Sequence, residues 1–288
     1  MPDLGAMSPT WVLPLVLLAA ALHATWNALV KAGGDRLAVQ ALVMLAPGLV
    51  AAPFLLFLPL PAAAALPFLV ASVIIHIAYN GLLAAAYQQG DLSQVYPIAR
   101  GSAPLLVALG GWLLAGETKT PAEMAAIAIV SLGILGLSLR RGPRRAGELR
   151  SVVLALLVGL SIASYSLADG LGARNAGSTL SYIAWLFFLE GTIFMVIVAY
   201  LRRGRLVHSF RPILLPGIGG GLMAGTAYAI VIWAMTVAPM AHVVALRETS
   251  VLMAAGIGAF ILKEGFGAHR ITASALVVTG TVLLQLVH

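Results

Sequence analysis

A chain of 288 residues with 61% hydrophobic and only 9% charged residues has too much apolar surface for a single soluble core, since soluble domains carry about 25% charged residues. With no cysteine, disulfides, thiol chemistry and Cys-ligated metals are excluded. The net charge of +7 sits in short loops between apolar runs, which reads as membrane topology and not as a nucleic-acid surface.

At about 20 residues per span, the length accommodates an all-α membrane protein of ten transmembrane helices and leaves no room for a soluble domain. Continuous apolar runs such as Trp11 to Ala21 lack the dyad alternation of a β-barrel. The predicted spans are 9–31, 36–60, 66–88, 92–116, 121–139, 151–173, 178–201, 211–236, 240–262 and 268–287. Punctuation falls between them at Gly33-Gly34-Asp35, Pro59 to Pro61, Gly90-Asp91, Pro121, Gly142-Pro143, Asn175 to Ser178, Pro239 and Gly265 to Gly267. Met1 to Thr10 lacks the basic region and small-residue cleavage site of a secretory signal, so the first helix is expected to be retained.

Along the chain, polar residues recur within these spans. His23 and Asn27 share a face of the first helix, with Trp26 nearby; Ser72, His76 and Asn80 share a face of the third, with Tyr79 nearby. Arg100 lies about eight residues, or roughly 12 Å, into the fourth helix, between Pro97 and Pro104. The sixth helix carries Ser161, Tyr165 and Asp169 as one stripe, and the seventh carries Glu190. Gly217, Gly221 and Gly225 form a smooth stripe for close packing on the eighth, which also carries Tyr228 and Trp233. The ninth contains Arg247, Glu248 and Ser250. A charge deep in a bilayer costs at least ~2.5 kcal/mol, so each requires a reason. Arginine keeps its proton and can grip a carboxylate or phosphate with two donors. A structural clamp on carboxylates or freed carbonyls is the competing role, since Pro104 leaves the Arg100 carbonyl without its helical partner. Asp169, Glu190 and Glu248 are candidates to carry a proton, or to bridge to an arginine. No metal-ligand spacing occurs, and no HExxH, GxSxG, Walker or dinucleotide motif, so neither metal, cofactor nor enzyme activity is expected.

The polar stretch Arg140 to Arg150 divides the chain into two five-helix halves, residues 1–145 including this basic linker and residues 146–288. Arg100 to Glu117 and Arg247 to Glu264 have equal spacing, and the preceding helices carry Ala78-Tyr79 and Ala227-Tyr228. Five is odd, so a tandem five-helix unit reverses its orientation, giving the inverted repeat of many transporters. Loops after odd-numbered helices hold Lys31, Arg36, Arg140, Arg141, Arg144, Arg145, Arg150, Arg202, Arg203, Arg205, Arg211, Lys263 and Arg270, against Lys119 and Arg174 opposite. Positive-inside then predicts cytoplasmic odd loops and periplasmic termini.

The segments HATWNALVK at 23–31, YQQGDLSQVYPIARGSAPLLVAL at 87–109 with Gly116-Glu117, and AYAIVIWAMTVAPMAHVVALRETSVLMAA at 227–255 with Lys263-Glu264 carry a further signal. Over essentially its whole length the chain resembles the EamA type of the drug/metabolite transporter superfamily. The resemblance implies two inverted five-helix repeats and alternating access, with helices one, three, four, six, eight and nine near a central cavity. Arg100 and Arg247 match the arginines of the ARG and RET segments. Relatives usually place both termini in the cytoplasm, which the charge count here reverses. The resulting expectation is a monomeric secondary transporter in a bacterial inner membrane, exporting a small anionic or zwitterionic metabolite such as an amino acid. Its partners would be that solute, the lipid bilayer and coupling protons, with no nucleic acid. A proton-coupled cation or drug exporter is the first alternative, and a non-transporting subunit of a membrane complex the second.

Overall fold

The computed structural model describes residues 11–30, 36–89, 92–138, 148–202, 209–260 and 268–287. Among them every regular element is helical: α1 (Val12–Val30), α2 (Arg36–Ala51), α3 (Leu66–Gln89), α4 (Leu92–Ala115), α5 (Pro121–Gly136), α6 (Glu148–Arg174), α7 (Thr179–Arg202), α8 (Leu214–Val237), α9 (Met240–Arg247), α10 (Ser250–Phe260) and α11 (Ala268–Leu286). Short 3-10 turns occupy Ala52–Leu56, Ala63–Ala65 and Arg211–Ile213. Six stretches are long and apolar enough to cross a membrane: Leu37–Leu56, Ala63–Leu83, Val95–Ala115, Leu149–Arg174, Thr179–Arg202 and Arg211–Val237. Side chains such as Leu156, Val196, Leu215 and Val278 are exposed, and such greasy helix surfaces are suited to lipid, not water. The chain is a multi-pass α-helical membrane protein. Lys31, Arg140, Arg141, Arg144, Arg145, Arg203, Arg205, Lys263 and Glu264 lie outside the described residues.

Two predicted spans are interrupted. The second, predicted to run to residue 60, leaves α geometry after Ala51 and continues as a 3-10 turn with Pro53 in its first turn. Proline has no N–H to extend the α pattern; the Phe57 and Leu58 N–H groups both return to Phe54 O, at 3.0 and 2.9 Å. The ninth, predicted over 240–262, breaks into α9 and α10 at Glu248 and Thr249. There the backbone tightens to three-residue bonds, Thr249 N to Leu246 O at 3.1 Å and Val251 N to Glu248 O at 3.0 Å. The Thr249 hydroxyl donates to the same Leu246 carbonyl at 2.8 Å, competing with the regular ladder.

The described chain divides into two compact units. The first comprises residues 1–73 and 169–237, and the second residues 74–168 and 238–288.

In the first unit α2 packs on α7 and α8, and α8 on α1. Small residues make these approaches possible. A Cβ on Gly191 of α7 would stand 2.5 Å from Met44 O, and one on Gly48 of α2 would stand 2.7 Å from Phe187 O. The glycine stripe of α8 faces α2: Gly217 meets Leu42, Gly221 meets Val43 and Ala46, and Gly225 meets Pro47. Ala38, Val39, Leu42, Val43 and Ile213 form a buried cluster beside it, covered by Trp26. A Cβ on Gly221 would lie 2.7 Å from the Val43 carbonyl oxygen, whereas one on Gly219 meets nothing within 4 Å. Gly221→Val is therefore expected to cost about 1–3 kcal/mol through overpacking, while Gly219→Val leaves stability unchanged or slightly raised. Thermal unfolding of the two variants side by side checks this.

In the second unit α5 packs on α11 and α4, and α4 on α9. Gly133 lies against Val277 and Gly280 against Val130, closing α5 on α11 around Val130, Ile134 and Val277. Gly101 lets α4 approach α5, where its Cβ would stand 3.0 Å from Leu135 N. A capping box starts α5: Thr120 Oγ1 accepts from Glu123 N at 3.2 Å and Glu123 Oε2 accepts from Thr120 N at 2.7 Å.

Candidate functional site

The second unit contains a buried charged cluster where α4 crosses the break between α9 and α10. Glu248 is fully buried, Arg247 is 4% and Arg100 6% exposed. Arg100 Nε lies 2.8 Å from Glu248 Oε2, and Arg100 Nη2 donates to Ser250 Oγ at 3.2 Å. Both acceptors come from the break, whose tight turn sets Glu248 and Ser250 toward one guanidinium. Arg247 Nη2 stands farther off, 3.9 Å from Glu248 Oε1. Among the described residues neither Nε nor Nη2 of Arg247 makes a hydrogen bond.

Aromatic side chains surround Arg100. Its Cζ lies 5.9 Å from the Tyr96 ring centroid, within the range of a cation–π contact. Tyr96, Tyr165 and Tyr79 are all close enough to interact electrostatically with the guanidinium, and Tyr96 also with Arg247 and Glu248. Tyr165 stacks on His76 at 4.1 Å between centroids and meets Tyr79 edge-on at 5.6 Å. Asn80 Nδ2 donates to His76 O at 2.8 Å one turn away. The structure thus gathers Arg100, Arg247, Glu248 and Ser250, and sets Tyr165 against both His76 and Tyr79.

Glu117, at the start of the loop following α4, accepts from Met240 N with both oxygens, at 3.1 and 3.0 Å, and from Lys119 Nζ at 3.3 Å. It satisfies a first-turn N–H of α9 and opposes the positive end of that helix.

The other candidates belong to the first unit. Asp169 is fully buried near the end of α6; its Oδ1 accepts from Tyr182 Oη at 3.0 Å and its Oδ2 from Tyr228 Oη at 2.5 Å. Gly172, one turn on, leaves the space that the Tyr182 ring occupies. Glu190 is buried on α7 and Trp233 on α8. Arg174 Nε donates to Met235 O at 2.8 Å. On α1 the candidates meet each other: Trp26 Nε1 donates to His23 Nδ1 at 3.3 Å, and Asn27 Nδ2 to His23 O at 2.8 Å. Elsewhere on α6, Ser161 Oγ donates to Leu157 O at 2.9 Å and Tyr165 stacks on His76. Sequence reasoning missed Tyr96, Tyr182 and Glu117 as contributors. The equal Arg-to-Glu spacing of the two halves was the available signal for Glu117; Tyr182 had none beyond Gly172.

The molecule is therefore an all-helical, multi-pass membrane protein with a charged cluster buried among apolar helices. No family model matches the chain, and no curated protein matches it. A solved structure described only as "Crystal structure of protein" superposes with a TM-score of 0.77 at 18% identity, covering 97% of this chain and 98% of that one. The two share a fold along nearly their whole lengths.

Proposed function

We propose that this protein is a secondary transporter of the EamA type, exporting a small anionic or zwitterionic metabolite across a bacterial inner membrane by alternating access. The carrying observation is the Arg100–Glu248–Arg247 cluster, two fixed cations and one carboxylate held away from water in apolar helices. Charges that deep mark solute or ion pathways. In this reading the chain has ten spans as inverted halves, 1–145 and 146–288, with odd loops cytoplasmic and termini periplasmic. Pairings support the repeat: α2 lies on α7, α4 on α9 and α5 on α11, each joining elements at matching positions in the two halves. The solute's negative group would be drawn to the arginines, with Tyr79, Tyr96 and Tyr165 offering apolar walls beside them.

Purified protein reconstituted into vesicles is expected to exchange radiolabelled amino acids or organic acids with unlabelled solute inside. Thermal stabilisation by the same solutes should accompany it, since a ligand at about 100 times its dissociation constant adds roughly 2.7 kcal/mol. Stabilisation and exchange by organic cations alone, lost in Asp169→Asn, would replace this reading with proton-coupled cation export. The observation favouring that second reading is the Asp169 carboxylate held by two tyrosines. A stable protein partner in mild detergent and no solute response would point to a subunit role.

A further inference from the structure

We infer that Arg247 is the anion receptor of this site, that its ligand is a monocarboxylate gripped by Nε and Nη2, and that Arg100 is a positioning residue. The inference deepens the transport reading and rests on it for the premise that a solute reaches the cluster.

A guanidinium presents Nε–H and one Nη2–H along a single edge, spaced to meet the two oxygens of a carboxylate. The same edge has close partners in one arginine and none in the other. In Arg100 it is engaged from within the protein: Nη2 donates to Ser250 Oγ at 3.2 Å, and Nε, though without a hydrogen bond among the described residues, stands in ion-pair contact with Glu248 Oε2 at 2.8 Å. In Arg247 both groups on that edge lack a hydrogen bond among the described residues, although the side chain is only 5% exposed. The nearest oxygen of Glu248 is 3.9 Å from Nη2, beyond the roughly 2.7–2.9 Å of a charge-assisted bond. Arginine cannot shed its proton to escape burial, so those donors call for an acceptor.

Charge then selects among acceptors. Two guanidinium groups and one carboxylate leave a single positive charge in the cluster. A monoanion cancels it, a dianion overshoots, and a zwitterion leaves it standing. Glu248 Oε1 also makes no hydrogen bond among the described residues, which is the feature that would welcome an ammonium group. Oε2 likewise makes no hydrogen bond there, but it stands in ion-pair contact with Arg100 at 2.8 Å, and the charge count favours the monoanion. Two neighbouring donors favour a carboxylate over a halide, which can occupy only one point between them.

The test measures melting temperature and binding of the full-length detergent-purified protein with lactate, benzoate, succinate, glycine, phenylalanine and chloride as probes. Lactate or benzoate should stabilise it, with succinate, the two amino acids and chloride much weaker. Arg247→Gln should abolish the effect. Arg247→Lys keeps the charge without the planar fork and should weaken binding roughly tenfold or more, which covers the case in which the glutamine variant fails to fold. Glu248→Gln raises the net charge by one and should shift preference toward succinate. Monocarboxylate binding that is unchanged in Arg247→Lys overturns the inference, as does an absence of response to every carboxylate. A response to amino acids alone overturns the monoanion assignment and leaves the transport reading standing. A response to chloride alone overturns the carboxylate. Monocarboxylates that bind through Arg247 but never exchange across vesicles uphold the inference and remove the transport reading.

Discussion

Arg100→Met is expected to destabilise the protein by about 3–5 kcal/mol, whereas Arg247→Met changes stability by about 1 kcal/mol or less. The two residues are alike in chemistry and burial, so the difference comes from their partners. Removing Arg100 strands a fully buried Glu248 without its 2.8 Å contact and leaves Ser250 Oγ without the donor it accepts. A buried carboxylate that loses its counter-ion bears the desolvation cost uncompensated. Arg247 stands 3.9 Å away and can move to cover part of that loss, which places the outcome toward the lower end of the range. Removing Arg247 breaks no hydrogen bond of its Nε or Nη2 and relieves an excess positive charge. Thermal and denaturant unfolding followed by the fluorescence of the five tryptophans gives both values. A larger loss in Arg247→Met than in Arg100→Met would reverse the roles assigned to the two arginines.

Asp169 offers the second large effect. Its two carboxylate oxygens each accept from a tyrosine, Tyr182 on α7 and Tyr228 on α8, so one side chain ties three helices of the first unit. Neutral interhelical hydrogen bonds in membrane proteins average only about 0.6 kcal/mol, but bonds to a charged acceptor are worth about 1.5–3 kcal/mol each. Asp169→Leu should therefore cost several kcal/mol, or about twice the single-bond value, because it removes the charged acceptor of two phenols at once. Asp169→Asn keeps one carbonyl acceptor and the shape, and should cost about 1–2 kcal/mol. The double variant Tyr182→Phe/Tyr228→Phe separates packing from bonding, since both rings stay. If Asp169→Leu melts with the wild type, the carboxylate contributes nothing to holding these helices.

The helices were readable because apolar runs of membrane length were separated by Gly, Pro and charged punctuation. The boundaries of α3, α4 and α7 fall within a residue of the predicted spans. The break after Arg247 was not readable: Leu246, Arg247 and Glu248 are ordinary helix formers, and a Thr such as Thr249 bonds back to a helix carbonyl in many unbroken helices. The division of labour between the arginines was hidden too. Arg247 is adjacent to Glu248 in sequence, yet Arg100 holds the closer contact, because successive residues on a helix do not face each other while a crossing helix can. The glycine stripe of α8 pointed to close packing, but only the fold shows that α2 is its partner. His23, Trp26 and Asn27 share a polar face of α1, and their hydrogen bonds to one another along the helix were not readable from spacing alone.

The Arg100–Glu248 contact also imposes an order on biogenesis. Arg100 lies in α4 and leaves the ribosome long before Glu248, which follows α9. Each arginine costs about 2.5–3.5 kcal/mol when it enters lipid alone. The nascent α4 is therefore best retained at the insertion machinery, or with its cation drawn toward an interface, until the later helices arrive. A chain truncated before α9 should linger beside the insertion apparatus, and α9 would complete the release of a segment synthesised far earlier.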